Sequence, residues 1–204
     1  MIVQGSDEWK MQRLGKVTAS RVADVIAKTK TGYSSSRENY MAQLICERLT
    51  GQPSESFTNA AMQHGTDTEP LARSAYEMAR NLLVKEVAFI THPRIEMAGA
   101  SPDGLVADDG LVEIKCPNTA THIDTLLSQK VPTKYITQMQ WQMLVCNKTW
   151  CDFVSFDNRL PERLQLFIQE VEFDPEYCAM LEKEVVQFLE ELDSKVAKLK
   201  EKYE

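Results

Sequence analysis

The stretch from Ser101 to Cys116 has the sequence SPDGLVADDGLVEIKC, and the prediction of fold and function starts from it. Asp108-Asp109-Gly110 is a strong hairpin signal, because Asp-Gly favours the tight turns that join antiparallel strands. We therefore predict that Gly104–Ala107 runs back along an apolar strand from Leu111 to Cys116. Such a hairpin brings Asp103 alongside the end of that strand.

The predicted strand carries two charges within an apolar run. Side chains alternate along a strand, so Glu113 and Lys115 share one face with Leu111 and lie about 7 Å apart. The opposite face is expected to point into the core and consists of Val112, Ile114 and Cys116. A buried strand that carries a carboxylate and an ammonium is a local conflict of the kind that marks functional sites.

The three charged side chains are the minimum set for metal-dependent hydrolysis of a phosphodiester. Asp103 and Glu113 offer the hard oxygen ligands that Mg²⁺ prefers. Lys115 can orient or deprotonate the attacking water. The spacing Asp-x9-Glu-x-Lys also arises by chance, and a charged hairpin with a surface Glu/Lys pair is the alternative interpretation.

Five separated motifs follow one another along most of the chain. They are Trp9 with Arg13-Leu14-Gly15-Lys16-Val17-Thr18-Ala19-Ser20, Gly65 to Glu69, Ser101-Pro102-Asp103-Gly104, Glu113-Ile114-Lys115-Cys116-Pro117, and Tyr135-Ile136-Thr137-Gln138-Met139-Gln140. With these motifs the chain resembles the phage lambda exonuclease-like (YqaJ-type) viral recombinases of the PD-(D/E)XK nuclease superfamily. One short motif is weak support, whereas five in register are specific.

The resemblance implies an α/β (α+β) fold with a restriction-endonuclease-like PD-(D/E)XK core, in which helices flank a central mixed β-sheet. It also implies two Mg²⁺ ions, with Mn²⁺ as a substitute. Asp103 and Glu113 would bind the first ion, and Asp103 would bridge to the second, which Glu69 supports. The backbone carbonyl of Ile114 would be a further ligand, and Lys115 would act on the water.

A second group of residues would, by the same resemblance, surround the 5′-phosphate of a DNA end. Arg13 offers a bidentate fork, and serine hydroxyls add neutral donors. The group consists of Arg13, Ser20, Ser101 and Gln138, of which Ser20 could equally be a helix cap. Tyr135 lies three residues before Gln138, so both can face one DNA-binding and catalytic site. Gln142 continues that face and is left open between site and surface.

Met62 is a candidate for contact with DNA. It precedes Glu69 by seven residues, so two helical turns place both on one face. An exposed apolar side chain there could act as a wedge at the terminal base pair, although core packing is the stronger expectation for methionine.

The activity implied by the resemblance is that of a 5′→3′ deoxyribonuclease. It would act on duplex DNA ends, preferably 5′-phosphorylated, release 5′-mononucleotides and leave 3′ single strands for phage-type recombination. A homotrimeric ring and a single-strand annealing protein are the expected assembly and partner. Two alternatives remain open: a restriction or repair-type endonuclease with the same core, and a non-catalytic DNA-end-binding protein.

Length and composition agree with this assignment. At 204 residues the chain is predicted to be one nuclease domain, residues 1–204. No membrane is expected, because no segment approaches the roughly 18 apolar residues of a span and the first residues lack a signal-peptide pattern. The five cysteines form no C-x-x-C pair, which is typical of reduced thiols and disfavours an iron–sulfur cluster. We expect a protein of the bacterial cytoplasm, of phage or prophage origin.

The charge is unevenly distributed. The whole chain carries −7, yet residues 10–37 contain seven basic side chains against the single acid Asp24. This segment therefore carries +6 and the remainder −13. A local basic strip suits contact with phosphates, and a solvated helix face is the alternative.

Sequence periodicity and end signals predict the following elements. Helices are expected at 20–28, at 35–51, at 59–80, at 133–147 and from about 175 to the C-terminal region. Thr18 or Ser20 would cap the first, and Ser35-Ser36-Arg37-Glu38 is a capping box that opens the second, which ends at Gly51. Pro70 predicts a kink or restart of the third near Gly65–Thr66. Strands are expected at 83–91, 95–100, 105–107, 111–116, 149–156 and 164–173.

Overall fold

The computed structural model describes residues 2–54 and 59–203 of the chain. Within these residues there are seven α-helices. They are α1 (Asp7–Arg13), α2 (Val22–Ile26), α3 (Ser35–Thr50), α4 (Ala60–Arg80), α5 (Thr119–Ser128), α6 (Thr133–Cys146) and α7 (Pro175–Tyr203). No helix in the described part of the chain combines the length and the apolar character that crossing a membrane requires.

The described residues also contain ten short strands. They are β1 (Val17–Thr18), β2 (Lys28–Thr29), β3 (Gly32–Tyr33), β4 (Val84–Lys85), β5 (Ile90–Thr91), β6 (Ala98–Ala100), β7 (Gly104–Val106), β8 (Gly110–Lys115), β9 (Trp150–Phe156) and β10 (Leu166–Glu172). The main sheet has the order β10-β9-β8-β7-β4, and β1, β6 and β5 form a smaller sheet.

The main sheet is mixed, which confirms the predicted fold class. Strand β8 pairs in parallel with β9, and the pairs β10–β9, β8–β7 and β7–β4 are antiparallel. A parallel pair needs a long crossover connection, and here α5 and α6 provide it. The predicted hairpin of β7 and β8 is confirmed, with Gly104 opposite Val112.

Helices cover both faces of β8. On one face Val112 and Ile114 pack with Ala72 and Tyr76 of α4. On the other face Leu111 packs with apolar side chains of α6 and β9, which include Met139, Met143 and Phe153. The prediction that only the Val112 face points into the core was therefore wrong, because α6 buries the Glu113 face as well.

A second core lies beside the smaller sheet, where α2, α3, α6 and α7 meet. Helix α7 begins at Pro175, and Asp174 Oδ1 accepts a hydrogen bond from the Tyr177 amide. Its apolar face is buried in its own chain as far as Leu192 and comprises Leu181, Val185, Phe188, Leu189 and Leu192. The lysine-rich end that follows is mostly exposed.

Four local predictions need correction. Helix α4 continues through Pro70 without the expected break, and the predicted strand 83–91 forms two short strands in different sheets. Thr18 and Ser20 do not cap α2, whose N-cap is Arg21, without a side-chain cap bond. The N-cap of α3 is Ser34, which makes no side-chain cap bond, so the capping box predicted at Ser35-Ser36-Arg37-Glu38 does not form. Gly51 does end α3, in the left-handed conformation with φ of 66°.

Candidate active site

The hairpin places Asp103 beside the charged end of β8. The backbone amide of Ile114 donates to Asp103 Oδ2 at 2.6 Å. Gly104 allows β7 to pack closely against β4, because a Cβ atom there would lie only 2.0 Å from Val84 Cγ1. The Pro-Asp-Gly sequence thus combines a carboxylate with the bare backbone that close strand packing requires.

Glu113 is fully buried and is held by three donors. The ammonium of Lys115 pairs with Oε1, and Gln138 Nε2 donates to the same oxygen at 2.6 Å. Gln142 Nε2 donates to Oε2 at 2.7 Å. Both oxygens of the carboxylate are therefore fixed, and the interpretation of a surface Glu/Lys pair was wrong.

The site contains more negative charge than its lysine balances. Burial and the negative charge of Glu113 raise the pKa of Asp103 well above its ordinary value. Burial alone would lower the pKa of Lys115, yet the charges of Glu113 and Asp103 outweigh it and raise that pKa. A divalent cation would relieve the repulsion between the two carboxylates, so the donor set fits a hard metal ion.

Glu69 contributes to the electrostatics of the site from α4. Its charge is among the factors that raise the pKa of Asp103, while its side chain is paired with Arg73 at 2.9 Å. Within residues 2–54 and 59–203, no three His, Cys, Asp or Glu side chains already converge as a metal-ligating cluster. Because Arg73 pairs with Oε1 of Glu69, Oε2 is the oxygen through which Glu69 would bind a metal ion.

A cavity of about 480 Å³ opens in front of β8. Lys115 and Ile114, whose backbone carbonyl is an expected metal ligand, line it from β8, and Tyr135 lines it from α6. The Lys115 ammonium lies 5.3 Å from the centre of the Tyr135 ring. Met62 and Glu69 complete the wall from α4, which brings five of the predicted site residues around one space.

A second cavity, of about 410 Å³, lies beside α1 and is rich in cations. Its lining includes Arg13, Lys16, Ser20 and Arg21. Burial lowers the pKa of the Arg13 guanidinium, and no ion pair to Arg13 or Lys16 is present among the described residues. An anion entering this cavity would compensate for the water that Arg13 has lost.

Ser101 connects the cationic cavity to the acidic site. Its hydroxyl oxygen accepts hydrogen bonds from Arg13 Nη1 at 3.2 Å and from Trp9 Nε1 at 3.0 Å. The Arg13 guanidinium also lies over the Trp9 ring, 4.0 Å from its centre. Ser101 is two residues before Asp103, so the residue that binds Arg13 and a carboxylate of the acidic site belong to the same short segment.

The predicted phosphate-binding residues divide into two sets. Arg13, Ser20 and Ser101 lie at or beside the cationic cavity, whereas Gln138 donates to Glu113 in the acidic site. Met62 lines both cavities and is about half exposed, so it does not serve as core packing.

The basic strip of residues 10–37 has fewer cations available for contact with phosphates than the sequence indicates. Arg37 is buried and pairs with Glu191, and Lys28 pairs with Glu184, both on α7. These two cations therefore attach the N-terminal segment to α7. Helix α1, which carries Arg13, was not predicted, although Ser6 followed by Asp7 and Glu8 is a recognisable helix start.

A mixed sheet that presents Asp103, Glu113 and Lys115 beside a cavity defines the class, that of the PD-(D/E)XK nucleases. The chain belongs to the YqaJ-like viral recombinase family, whose domain matches residues 8–149. These findings support a nuclease role in recombination.

Solved structures agree with this membership. The chain is 52% identical to an alkaline exonuclease, LHK-Exo from Laribacter hongkongensis, over 97% of both chains, with a TM-score of 0.91. The same values hold for a structure of LHK-Exo in complex with dAMP. A phage-related exonuclease from Haemophilus somnus 129PT is 17% identical over 90% of this chain and 96% of its own, with a TM-score of 0.73, and shares the fold. Comparison with curated protein sequences gave no match.

Proposed function

We propose that the protein is a metal-dependent 5′→3′ exonuclease acting on duplex DNA ends. It releases 5′-mononucleotides and leaves 3′ single strands for recombination by annealing, as a single nuclease domain, residues 1–204. The proposed metal is Mg²⁺, in two sites, with Mn²⁺ as a substitute. Family membership supports the reaction class, and the dAMP complex of LHK-Exo supports a mononucleotide product.

Glu69, Ile114 and Lys115 line the 480 Å³ cavity, and Asp103 and Glu113 lie next to them on the β7–β8 hairpin. Asp103 and Glu113 would hold the metal, with the Ile114 carbonyl and Glu69 as further ligands. When bound, the cations supply positive charge against the scissile phosphate. Lys115, kept as an ammonium by the neighbouring carboxylates, would orient the attacking water by donating a hydrogen bond to it. Its replacement by Ala should stop turnover and leave metal binding intact, because an ammonium is not a ligand.

One observation carries the proposed polarity: Met62 lines both the cationic cavity and the acidic one. A terminal 5′-phosphate held by Arg13 would therefore place the first phosphodiester of that strand near Lys115. Ser20 and Ser101 would add neutral donors to the phosphate, and Met62 would contact the terminal bases. Gln138 serves the reaction through Glu113 instead.

Digestion of matched DNA forms tests this proposal. With Mg²⁺, a linear duplex with 5′-phosphates should yield mononucleotides, and a covalently closed circle of the same sequence should remain intact. Cleavage of the circle would favour the restriction or repair-type endonuclease. Binding of linear ends without nucleotide release would favour the non-catalytic alternative.

We further propose a homotrimeric ring around the DNA and a single-strand annealing protein as partner. An acidic chain attracts DNA weakly over long distances, so enclosure would retain the substrate better than charge. The face of α7 up to Leu192 is used inside its own chain, so subunit contacts must involve other surfaces. Sedimentation equilibrium should give about three times 23.2 kDa. A monomer that digests long duplexes processively would contradict the ring.

A further inference from the structure

Gln142 is a buried polar side chain that the proposed reaction does not yet use. It lies on α6 one turn after Gln138 and is fully inaccessible to solvent. Residues four apart on a helix share a face, so both amides point at Glu113. Gln138 contacts Oε1 together with Lys115, whereas Gln142 is the donor to Oε2.

The orientation of the Gln142 amide is determined by Glu113. If the amide were reversed, its oxygen would face Glu113 Oε2, and two acceptors would be in contact. In the observed orientation Gln142 Oε1 is buried, and no donor in the described part of the chain reaches it. An unsatisfied buried acceptor is unfavourable, so packing alone does not account for glutamine at this position.

We propose that Gln142 is a positioning residue that fixes the orientation of the Glu113 carboxylate for a divalent cation. This inference rests on the proposed metal-dependent function. Without Gln142, Oε2 loses its donor, and the carboxylate can rotate away from the orientation shared with Lys115 and Gln138. The cation would then have to order its own ligand before binding.

The experiment compares Gln142→Met with a matched control on the same helix. Gln140 is also buried, but it faces elsewhere: it donates to the Glu172 carbonyl and accepts from the Asp174 amide. Magnesium binding is measured by calorimetry, and the Mg²⁺ concentration that gives half-maximal nuclease activity is determined in parallel. Thermal unfolding without metal reports the purely structural effect of each change.

Gln142→Met should weaken Mg²⁺ binding by roughly tenfold, as outer partners of metal ligands commonly do. Its activity should recover at high Mg²⁺ toward that of the unaltered protein. Gln140→Met should lower the unfolding temperature and leave the Mg²⁺ midpoint unchanged. Should Gln142→Met not fold, Gln142→Asn, which is too short to reach Glu113, is expected to give the same shift.

An unchanged Mg²⁺ midpoint in the folded Gln142 variant, or an equal shift in the Gln140 variant, would overturn the positioning role. Glu113→Gln separates this failure from that of the proposed function. If Glu113→Gln is inactive and Gln142→Met behaves as the unaltered protein, only the inference about Gln142 fails. If Glu113→Gln remains fully active, the metal-dependent function itself fails.

Discussion

Two buried acidic regions lie on neighbouring strands of the main sheet and differ in how their charge is balanced. Asp152 on β9 is fully buried, accepts hydrogen bonds from Arg80 at 2.8 and 3.2 Å, and accepts a third from the Tyr76 hydroxyl at 2.8 Å. On β8, by contrast, Glu113 shares a single lysine with the nearby Asp103.

The difference distinguishes a structural acid from a functional one. Asp152 accepts three direct hydrogen bonds from Arg80 and Tyr76, and the second carboxylate on Arg80, Glu170, is half exposed to water. Asp152 therefore attaches α4 to the sheet and needs no further ligand. Asp103 and Glu113 have only Lys115 as a cationic neighbour, and Lys115 lines an open cavity. Burial alone therefore does not identify a catalytic carboxylate, whereas burial with an uncompensated charge does.

The largest expected effect is loss of activity at the uncompensated pair. Asp103→Asn or Glu113→Gln should reduce the nuclease rate by at least about a thousandfold, because the charge supplied by a metal contributes several kcal/mol to catalysis. Both variants should remain folded, since each keeps the shape and an acceptor oxygen of the original side chain and removes the repulsion between Asp103 and Glu113. Rates are measured by mononucleotide release at saturating Mg²⁺.

The control for this change lies at the far end of the same hairpin, where Asp108 is exposed. Asp108→Asn should leave the rate unchanged. Substantial activity in either active-site variant would contradict the assignment of the two acids.

The second effect concerns the structural acid, where substitution should lower stability instead of abolishing catalysis. Asp152→Ala should lower the free energy of unfolding by about 2–3 kcal/mol, because it leaves Arg80 and Tyr76 without their buried partner. This loss is smaller than that expected for a fully buried ion pair, because the Arg80 side chain is about one-third exposed. Urea unfolding measures it. Glu170→Gln, which removes the outer partner of Arg80, should change stability by less than about 0.5 kcal/mol.

A third, smaller effect tests recognition of the DNA end. A charge-assisted bidentate bond contributes about 1.5–3 kcal/mol, so Arg13→Ala should slow digestion of 5′-phosphorylated ends by about one to two decades. Ends with a 5′-hydroxyl should be poor substrates already and change little. Arg13→Lys keeps the charge without the fork and should be intermediate. Equal losses on both kinds of end would assign Arg13 to general DNA binding or folding.

The smallest effect is a change in the pH dependence of stability. Because the folded protein raises the pKa of Asp103 above 3.8, its contribution to stability is fully present below pH 3.8 and is lost as the pH rises through the raised pKa. Metal-free Asp103→Asn should lack this loss, which amounts to at most about 1.4 kcal/mol per pH unit for one proton. Parallel stability curves for the two proteins would exclude the effect.

The sequence predicted the hairpin and its charged triad because their signals are local. Asp-Gly specifies the turn, and the period of two along β8 places Glu113 and Lys115 on one face. The burial of that face could not be predicted, since it results from the packing of α6, which lies in a distant part of the chain. For the same reason Gln142 was left open between site and surface.

The N-terminal segment was harder to predict. Helix α1 has a clear start signal at Ser6 but is short, and no residue of it is buried. Helix α5 was also not predicted, although Asn118 caps it through the Thr121 amide. The ion pairs that occupy Lys28 and Arg37 involve α7, more than 150 residues away, and charge counting along the sequence does not detect such pairs.

Binding of Mn²⁺, followed by calorimetry in the absence of DNA, tests the central claim most directly. The uncompensated pair should bind the cation in the unaltered protein and in Asp152→Asn, with similar affinity. Asp103→Asn should lose this binding while remaining folded. Undiminished Mn²⁺ binding by Asp103→Asn, or its loss only in Asp152→Asn, would contradict the assignment of the β7–β8 acids as the metal site.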